Sequence, residues 1–435
     1  MRSTNQAAPA RRTLRRGLAM TAALPLMLAA AGCASGTTSG GGQPDPTTTD
    51  AAVTTAACGT LPDIAPADPE GAIASLAAEV QPFYNGNPYP TLPSYWADWA
   101  PEGPLTVAYV SLPMLNAWSV SAKAQMEESF AEAKAAGLVE GELLEFIMSD
   151  PANMTPAEQI GLYEEAVRQG ADLIYLVPLS GEAIAASVDA AAEQGIPTIT
   201  QNGYVPSDKA VNWGVNPYLD SGAPAAEILG QLDGTGNVVI VRGVIGLATD
   251  TYGYAAIESV LANCPNVTVL GEVEGGFNPP AAKTALQQFL ASHPQQLDAV
   301  LQVGVMGQGV YQALFESGRT PIAKVSDTGA SAGSLAGWAE AIERQPDYTA
   351  AGTGGTGRQQ VALLFEIGMR MAAGEGVKVS NLTYASPLLT NDSFGEWMLA
   401  GADLNSPDET ADGAPLMSEQ ELDAFFTNPG LLASR

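Results

Sequence analysis

Short apolar runs alternate with amphipathic stretches of helical period from residue 105 onward. The runs, which predict strands, are Leu105–Ser111, Leu143–Met148, Leu173–Val177, Pro197–Thr200, Asn237–Arg242, Val267–Leu270, Ala299–Val303, Ile322–Ser326 and Tyr348–Gly352. Apolar strands separated by helices are typical of a parallel sheet that is covered on both faces. Because the series restarts near residue 216, the sequence predicts two α/β lobes, each with a doubly wound parallel sheet. Ligands of such sheets bind at the carboxyl ends of the strands.

The overall charge excludes several classes of function. The chain has 47 Asp and Glu against 18 Lys and Arg, which gives a net charge of −29, and a surface of this sign repels nucleic-acid phosphates. It has one histidine, His293, and three cysteines without a C-x-x-C spacing. We therefore expect no zinc site, no other metal site and no thiol redox centre.

A glycine-rich stretch at residues 352–357 satisfies the G-x-G-x-x-G pattern of dinucleotide-binding loops. Such a site also needs an acidic residue at the end of a strand about 20 residues later. That distance falls on Glu375, which lies in a predicted turn. We interpret the stretch as a hinge and expect no cofactor.

The N-terminus has the features of an export signal. Residues 1–32 contain a basic stretch, Arg11–Arg16, and an apolar run, Leu18–Ala31, that is too short to span a bilayer. The following Gly32-Cys33 is similar to a lipoprotein box, which predicts acylation of Cys33 and a lipid anchor. An ordinary signal with a cysteine near its cleavage site is the alternative, and the choice between Sec and twin-arginine export stays open. Residues 33–57, rich in Gly, Thr and Ser, are predicted to be a flexible tether.

Three further features lie outside the strand–helix series. Cys58 and Cys264 either form a disulfide, which an oxidising compartment favours, or are two unrelated buried thiols. Residues 58–103 form an N-terminal extension whose aromatic part, Pro82–Trp99, is expected to pack on the body as a strap or else to form a partner surface. Residues 401–435 form an acidic tail with one short helix near residues 418–426, to which we assign no function.

The body resembles a known family over about residues 104–400. The similar segments are Val107–Ser111 with Asn116-Ala117-Trp118, Gln169–Ile174, Gly195–Thr200, Gly236–Val239, His293–Val300 and Val325–Gly329. In this order they resemble type I periplasmic-type solute-binding proteins of ABC sugar importers, of the ribose- and galactose-binding branch. The resemblance implies three interlobe crossings, near residues 216–217, 352–357 and 382–387. The N-terminal lobe would then contain residues 104–216 and 354–382, and the C-terminal lobe residues 217–353 and 383–400.

The resemblance also implies which positions contact a solute when the lobes close. These positions carry Asn116, Trp118, Gln201, Asn202, Asn216, Asp250, Tyr252, Phe277 and Asp327. Some of these residues have a structural role as the alternative. Trp118 and Phe277 would then pack in the core, Asn216 would stabilise the crossing, and Asp250 would cap a helix.

The sequence departs from the family pattern in ways that bear on the solute. Gly304–Gly307 replaces an Asn-Asp pair, a Gly and Thr run replaces a Gln near the second crossing, and no Arg occupies the usual pocket positions. Carboxylates and amides without Arg favour a neutral sugar or polyol, or an amine-bearing solute. We expect a monomeric, extracytoplasmic, lipid-anchored binding protein that delivers its solute to an ABC permease. The alternatives are a receptor that feeds a membrane chemoreceptor or sensor kinase and, more remotely, a secreted hydrolase, although no G-x-S-x-G motif is present.

Overall fold

The structure is a computed structural model that describes residues 57–149 and 154–434. The predicted export signal, Cys33 and nearly all of the predicted tether lie outside the described residues. The first series contains β1 Val107–Ser111, α1 Ala117–Ala135, β2 Leu144–Ile147, α2 Pro156–Arg168, β3 Leu173–Leu176, α3 Gly181–Ala192, β4 Thr198–Gln201 and β5 Ala210–Val215. Local signals explain several boundaries. Thr155 caps α2 with Pro156 at its first position, and the side chain of Asn116 starts α1 at residue 117 by accepting a hydrogen bond from the Ser119 N–H.

The second series follows directly along the chain. It contains α4 Pro217–Gln231, β6 Thr235–Arg242, α5 Ala248–Leu261, β7 Asn266–Glu274, α6 Pro279–Ser292, β8 Ala299–Gln302, α7 Gly307–Ser317, β9 Lys324–Asp327, α8 Ala332–Arg344 and β10 Ala351–Thr353. The chain then forms α9 Gly357–Ala372, β11 Asn381–Tyr384, β12 Leu388–Leu389 and α10 Glu419–Asp423. Short 3-10 helices occur at Ile73–Ser75, Gln81–Tyr84, Phe394–Trp397 and Leu432–Ser434.

The strands form two six-stranded sheets. The N-terminal lobe has the order β11-β5-β4-β3-β1-β2, with every neighbouring pair parallel. The C-terminal lobe has the order β12-β10-β9-β8-β6-β7, parallel except for the short β12 at its edge. The predicted fold class, two lobes with doubly wound parallel sheets, is confirmed.

Each sheet lies between two helical layers because successive strand residues point to opposite faces. In β1, Val107 and Tyr109 pack in the cluster that includes side chains of α1 and α9, whereas Ala108 and Val110 pack with side chains of α2 and α3. In the C-terminal lobe, one cluster joins the sheet to α6, α7 and α8, and another joins it to α4 and α5.

The chain passes between the sheets at three places. It leaves the first sheet after β5 to form α4 on the second, returns after β10 to form α9 against α1, and leaves again between β11 and β12. The three passages lie side by side, since β11 pairs with β5 and β12 pairs with β10. They form the hinge of the molecule.

Four elements next to this hinge were not predicted from the sequence: β5, α4, β11 and the two-residue β12. Strand β5 contains a buried polar residue, Asn212, whose side chain accepts hydrogen bonds from the Val205 N–H and the Thr200 hydroxyl. Helix α4 has Pro224 in its interior, which normally argues against a helix. Strand β11 has only four residues.

The two terminal segments pack on both lobes. The N-terminal segment, residues 57–103, is attached to the C-terminal lobe by a disulfide between Cys58 and Cys264, and it buries Tyr84 and Trp96 in the core of the N-terminal lobe. The C-terminal tail, residues 401–434, places Leu404 against the core of the C-terminal lobe and Phe425 in that of the N-terminal lobe. The predicted short helix in this tail is present as α10.

Candidate functional site

A cavity of about 300 Å³ lies between the carboxyl ends of the two sheets. Most of its lining residues lie in or next to the loops that follow β1, β3 and β4 in the N-terminal lobe and β6, β7 and β8 in the C-terminal lobe. This is where open parallel sheets bind ligands, and the volume is at the lower end of the range usual for small-molecule sites.

Aromatic side chains form much of the cavity wall. Trp118, Tyr252 and Phe277, all predicted from the sequence, line it together with Tyr89 and Tyr204. The Tyr89 ring stacks on the Tyr204 ring with centroids 4.5 Å apart and meets the Tyr252 ring edge-on at 5.1 Å. Aromatic surfaces of this kind pack against the C–H groups of sugars and polyols.

Hydroxyl groups occupy the part of the wall formed by β1. Tyr109 and Ser111 line the cavity, and the Ser111 hydroxyl donates to the Tyr109 hydroxyl, which donates to Oε1 of Gln201 at 3.3 Å. Burial raises the pKa of Tyr109 to about 12, so its phenol stays protonated. Gln201 is fully buried behind Tyr109 and does not line the cavity itself. It therefore orients a cavity hydroxyl.

Amide side chains join elements around the cavity. Asn116 donates a hydrogen bond from Nδ2 to the backbone carbonyl of Phe277 in the opposite lobe, at 3.0 Å. Asn202 donates to Oε1 of Gln360 on α9, and both of these side chains line the cavity. Asn116 and Asn202 were predicted, whereas Gln360 was not.

Among the described residues, the charged side chains that line the cavity are both acidic. Asp220 on α4 and the exposed Glu182 on α3 are its carboxylates, and none of the described lining residues is Lys, Arg or His. Burial raises the pKa of Asp220, while the hydroxyl groups of Ser386 and Thr353 next to it lower the pKa. Asp220, Thr353 and Ser386 lie close to the first, second and third interlobe crossings, respectively. The carboxylate thus connects the hinge to the cavity.

Three other predicted residues are buried but do not line the cavity. The Oδ1 atom of Asn216 caps α4 by accepting from the Tyr218 N–H, while its Nδ2 donates to the carbonyl oxygens of Phe83 and Asn85. These hydrogen bonds join Asn216 to α4 and to the N-terminal segment at the first crossing. Asp250 and Asp327 are both fully buried.

Asp250 is engaged in an ion pair at the end of β6. Its carboxylate accepts from the Arg242 guanidinium at 2.6 and 3.1 Å and from the Gly243 N–H at 2.7 Å. It does not cap a helix starting near residue 252, because α5 begins at Ala248 with Leu247 as its N-cap. Arg242 also stacks on Tyr254 and does not line the cavity.

Asp327 ends β9 with its side chain under the N-terminal end of α7. Gln302 donates to its Oδ1 at 2.7 Å, and burial raises its pKa to about 7 despite the nearby Ser334 side chain, which favours the ionised form. The Oδ2 atom has no hydrogen-bond partner among the described residues.

Strained backbone is concentrated at the cavity. Among the described residues, the non-glycine positions with positive φ are Asn202, Asp233, Phe277 and Val305, and all except Asp233 line the cavity. Left-handed conformations are costly for a β-branched or aromatic residue, and they are found at sites where function requires them. The Phe277 ring lies where a Cβ on Gly243 would be, which explains glycine at that position.

Within the described residues, no cluster of three or more His, Cys, Asp or Glu side chains is arranged to hold a metal ion. Across residues 57–149 and 154–434, no helix combines the length and the hydropathy needed to cross a membrane.

Comparison with known proteins identifies the family. Residues 107–375, more than half of the chain, match the family described as periplasmic binding protein domain. The chain belongs to this family. The proteins that match this chain are solute-binding proteins, not enzymes. A curated relative, the xylitol-binding protein of Mycolicibacterium smegmatis, is 28% identical over 250 residues, which cover 56% of this chain and 68% of the relative.

Solved structures show the same fold. An ABC transporter solute-binding protein from Thermobispora bispora superposes with a TM-score of 0.62 at 22% identity, covering 73% of this chain and 93% of that chain. A solute-binding protein from Bacillus halodurans with bound myo-inositol gives a TM-score of 0.57 at 19% identity, and the match covers 68% of this chain and 98% of that chain. A solute-binding protein from Mycobacterium smegmatis with bound glycerol gives a TM-score of 0.56 at 20% identity, and the match covers 69% of this chain and 99% of that chain.

Proposed function

We propose that this protein captures a small, neutral sugar or polyol in the cleft between its lobes. The observation that carries the proposal is the composition of the cavity. Aromatic surfaces, hydroxyl groups and amides line it, the carboxylate of Asp220 accompanies them, and no described lining side chain is cationic. Paired hydroxyl groups are bound by such acceptors and donors, whereas a phosphate or carboxylate solute would meet negative charge without a cation to balance it.

The relatives support this choice of solute. The curated relative is named for binding xylitol, and two of the similar structures hold myo-inositol and glycerol. All three compounds are uncharged and carry a hydroxyl on every carbon. We expect Asn116, Trp118, Asn202, Tyr252 and Phe277 to contact the solute, with Asp220 accepting hydrogen bonds from its hydroxyls. We expect Gln201 to act through Tyr109.

Closure of the lobes around the solute is the proposed mechanism. Both lobes contribute to the cavity, and the three adjacent crossings provide the hinge. A solute that contacts both lobes stabilises the closed arrangement by its additional interactions there.

A thermal-shift panel tests the proposal. The purified protein is unfolded and refolded without reductant to remove carried-over solute, and then mixed with xylitol, myo-inositol, an amino sugar, a simple amine or a sugar phosphate. A solute at 100 times its dissociation constant adds about 2.7 kcal/mol, which raises the Tm by several degrees. We expect a rise with a neutral polyol or sugar and none with the phosphate. A rise only with the phosphate would contradict the proposal, and consumption of the compound would indicate an enzyme.

Asp220→Asn measures the contribution of the carboxylate. We expect the affinity for a neutral polyol to fall about 10-fold or more, since hydrogen bonds to charged groups contribute about 1.5–3 kcal/mol. The control is Glu182→Gln, which removes the other cavity carboxylate from an exposed position and should leave the affinity nearly unchanged. If the amine binds and the polyols do not, the solute is cationic and the neutral-solute proposal fails.

We further propose that the protein acts outside the cytoplasm, held on the membrane by acylated Cys33, and delivers its solute to an ABC importer. The export signal and the lipoprotein-box similarity support the anchor. Mass spectrometry of the N-terminal peptide from the membrane fraction should find a diacylglyceryl group on Cys33, and Cys33→Ser should lose it. Deletion of the gene should abolish high-affinity uptake of the labelled solute. Unchanged uptake with lost chemotaxis or sensor output would instead support the receptor alternative.

A further inference from the structure

A residue from outside the family-matched region reaches the cavity. Tyr89 belongs to the N-terminal segment, whereas the match to the family begins at residue 107. Its side chain lines the cavity with its ring between Tyr204, which follows β4 of the N-terminal lobe, and Tyr252 on α5 of the C-terminal lobe. The N-terminal segment therefore supplies a wall that neither lobe provides.

The segment holds Tyr89 in one position through its local sequence. Tyr89 lies between Pro88 and Pro90, and proline restricts both its own φ and the conformation of the residue before it. The side chain of Asn87, which is buried, accepts a hydrogen bond from the Tyr89 N–H at 3.0 Å. Gly86 has a φ of +62° and packs where a Cβ would collide with the Tyr218 ring. The turn is thus rigid and closely fitted to α4.

Contacts on either side of Tyr89 fix the segment to both lobes. On the C-terminal lobe, Cys58 forms the disulfide with Cys264, and the Tyr218 hydroxyl donates to the Pro62 carbonyl at 2.8 Å. On the N-terminal lobe, the Tyr84 hydroxyl donates to the Asn381 carbonyl at 2.6 Å. The Ser380 N–H donates to the Leu92 carbonyl at 2.8 Å, and Pro93 forms a β-bridge with Val379. These contacts hold Tyr89 at the cleft between the lobes.

We propose that Tyr89 is a specificity-determining residue of the solute site, with its ring forming a fixed wall that contacts a small sugar or polyol between the lobes. This inference rests on the proposed function, because it uses the same cavity and solute class. The phenol is neutral, since burial raises its pKa, so the ring adds an apolar surface and a hydroxyl without charge. By supplying this wall, the N-terminal segment limits the site to compact solutes.

Calorimetric titration with xylitol and with myo-inositol tests the role of the ring. We expect Tyr89→Ala to weaken binding of whichever probe binds the wild-type protein by about 10-fold, and Tyr89→Phe to stay within about 3-fold. The matched control is Tyr95→Ala, which removes an exposed ring from the same segment outside the cavity and should leave the Kd unchanged. A Tyr89→Ala protein that unfolds at a normal temperature and binds with the wild-type Kd would overturn the inference.

Hydroxyl-radical footprinting of the wild-type protein tests the contact without a substitution. The bound probe should reduce oxidation of Tyr89 and leave that of Tyr95 unchanged. Equal oxidation of Tyr89 with and without the probe, at a concentration where calorimetry shows saturation, would overturn the inference and leave the proposed function intact. If the wild-type protein binds neither these probes nor any other neutral sugar or polyol, the proposed function fails and this inference fails with it.

Discussion

The side-chain amide of Asn116 donates a hydrogen bond to the backbone carbonyl of Phe277 across the cleft, at 3.0 Å. Asn116 belongs to the N-terminal lobe and Phe277 to the C-terminal lobe. The Oδ1 atom of the same amide accepts from the Ser119 N–H and so caps α1. One side chain thus starts a helix and also holds the two lobes together.

Replacing Asn116 with aspartate separates these two roles. A carboxylate still caps the helix, but it has no N–H to donate to the Phe277 carbonyl. We expect Asn116→Asp to keep the wild-type Tm within a few degrees while binding the solute about 2- to 10-fold more weakly, because the closed form loses one interlobe hydrogen bond. Stopped-flow measurement should show the change mainly in the dissociation rate.

Asn278→Asp is the matched control for this experiment. Asn278 caps α6 by accepting from the Ala281 N–H, and it does not line the cavity. The same chemical change there should leave the affinity unaltered. Equal losses of affinity in the two variants would show that added negative charge, and not the lost interlobe bond, causes the effect.

Two carboxyl groups, the fully buried Asp327 and the partly buried Glu409, give the stability a distinctive dependence on pH. Burial raises the pKa of Asp327 and of Glu409 to about 7 in each case. Between about pH 4 and pH 7 the folded protein therefore binds protons that the unfolded chain has released. The contribution of these two carboxyl groups to the free energy of unfolding is therefore largest at low pH, and it decreases as the pH rises to about 7.

Asp327→Asn should flatten this dependence, because the amide cannot ionise. Measured by urea unfolding at pH 5 and pH 8, the wild-type protein should lose more stability between the two values than the variant. Adding Glu409→Gln should flatten the difference further. Glu316→Gln should not flatten it, since Lys283 lowers the pKa of that exposed carboxyl. A parallel decrease in wild type and Asp327→Asn would contradict the raised pKa.

The alternation of apolar runs and helices predicted the two sheets because buried parallel strands need continuous apolar sequence. It failed at the hinge, where the physical demands differ. Asn212 in β5 is buried because its side-chain hydrogen bonds satisfy it, and α4 tolerates Pro224 within a tightly packed layer. Such compensation depends on contacts between distant residues, which periodicity does not reveal.

The family resemblance selected residues near the ends of strands, but it could not give the direction of their side chains. Trp118 and Asp327 both come close to the end of a strand, yet one lines the cavity and the other lies beneath a helix. Asp220 was missed because its helix was not predicted. Tyr89 was missed because its segment has no helical or strand period and reaches the cleft only through the complete fold.

The disulfide between Cys58 and Cys264 joins residues 206 positions apart. Closing so long a loop restricts the unfolded chain, and we expect replacement of both cysteines by serine to lower the free energy of unfolding by about 2–5 kcal/mol. Urea unfolding with and without reductant checks this, alongside thiol titration of the unfolded, unreduced protein, in which Cys58 and Cys264 should not react. The Cys58→Ser variant should lose as much stability as the double variant. Identical midpoints with and without reductant would contradict the stabilising role.

Arg370 connects α9 to the C-terminal tail through a buried ion pair. Its Nε donates to Glu375 at 2.6 Å, another nitrogen donates to Asp423 on α10, and its guanidinium packs on the Phe426 ring. The side chains of Arg370 and Glu375 are 6% and 1% exposed. Arg370→Met should therefore cost about 3–5 kcal/mol, because it leaves the Glu375 carboxylate buried without its cation. Thermal and urea unfolding measure this loss.

The control is Arg168→Met, which makes the same change in an exposed pair with Glu165 and should cost about 0–1 kcal/mol. The double variant Arg370→Met with Glu375→Gln should recover part of the loss, since the neutral amide still accepts from the Gly430 and Leu432 N–H groups without a buried charge. Recovery would show that the unpaired carboxylate causes the instability. If the double variant is as unstable as Arg370→Met, the loss comes instead from the contacts of the guanidinium with Asp423 and Phe426, and the tail is held by packing on α9.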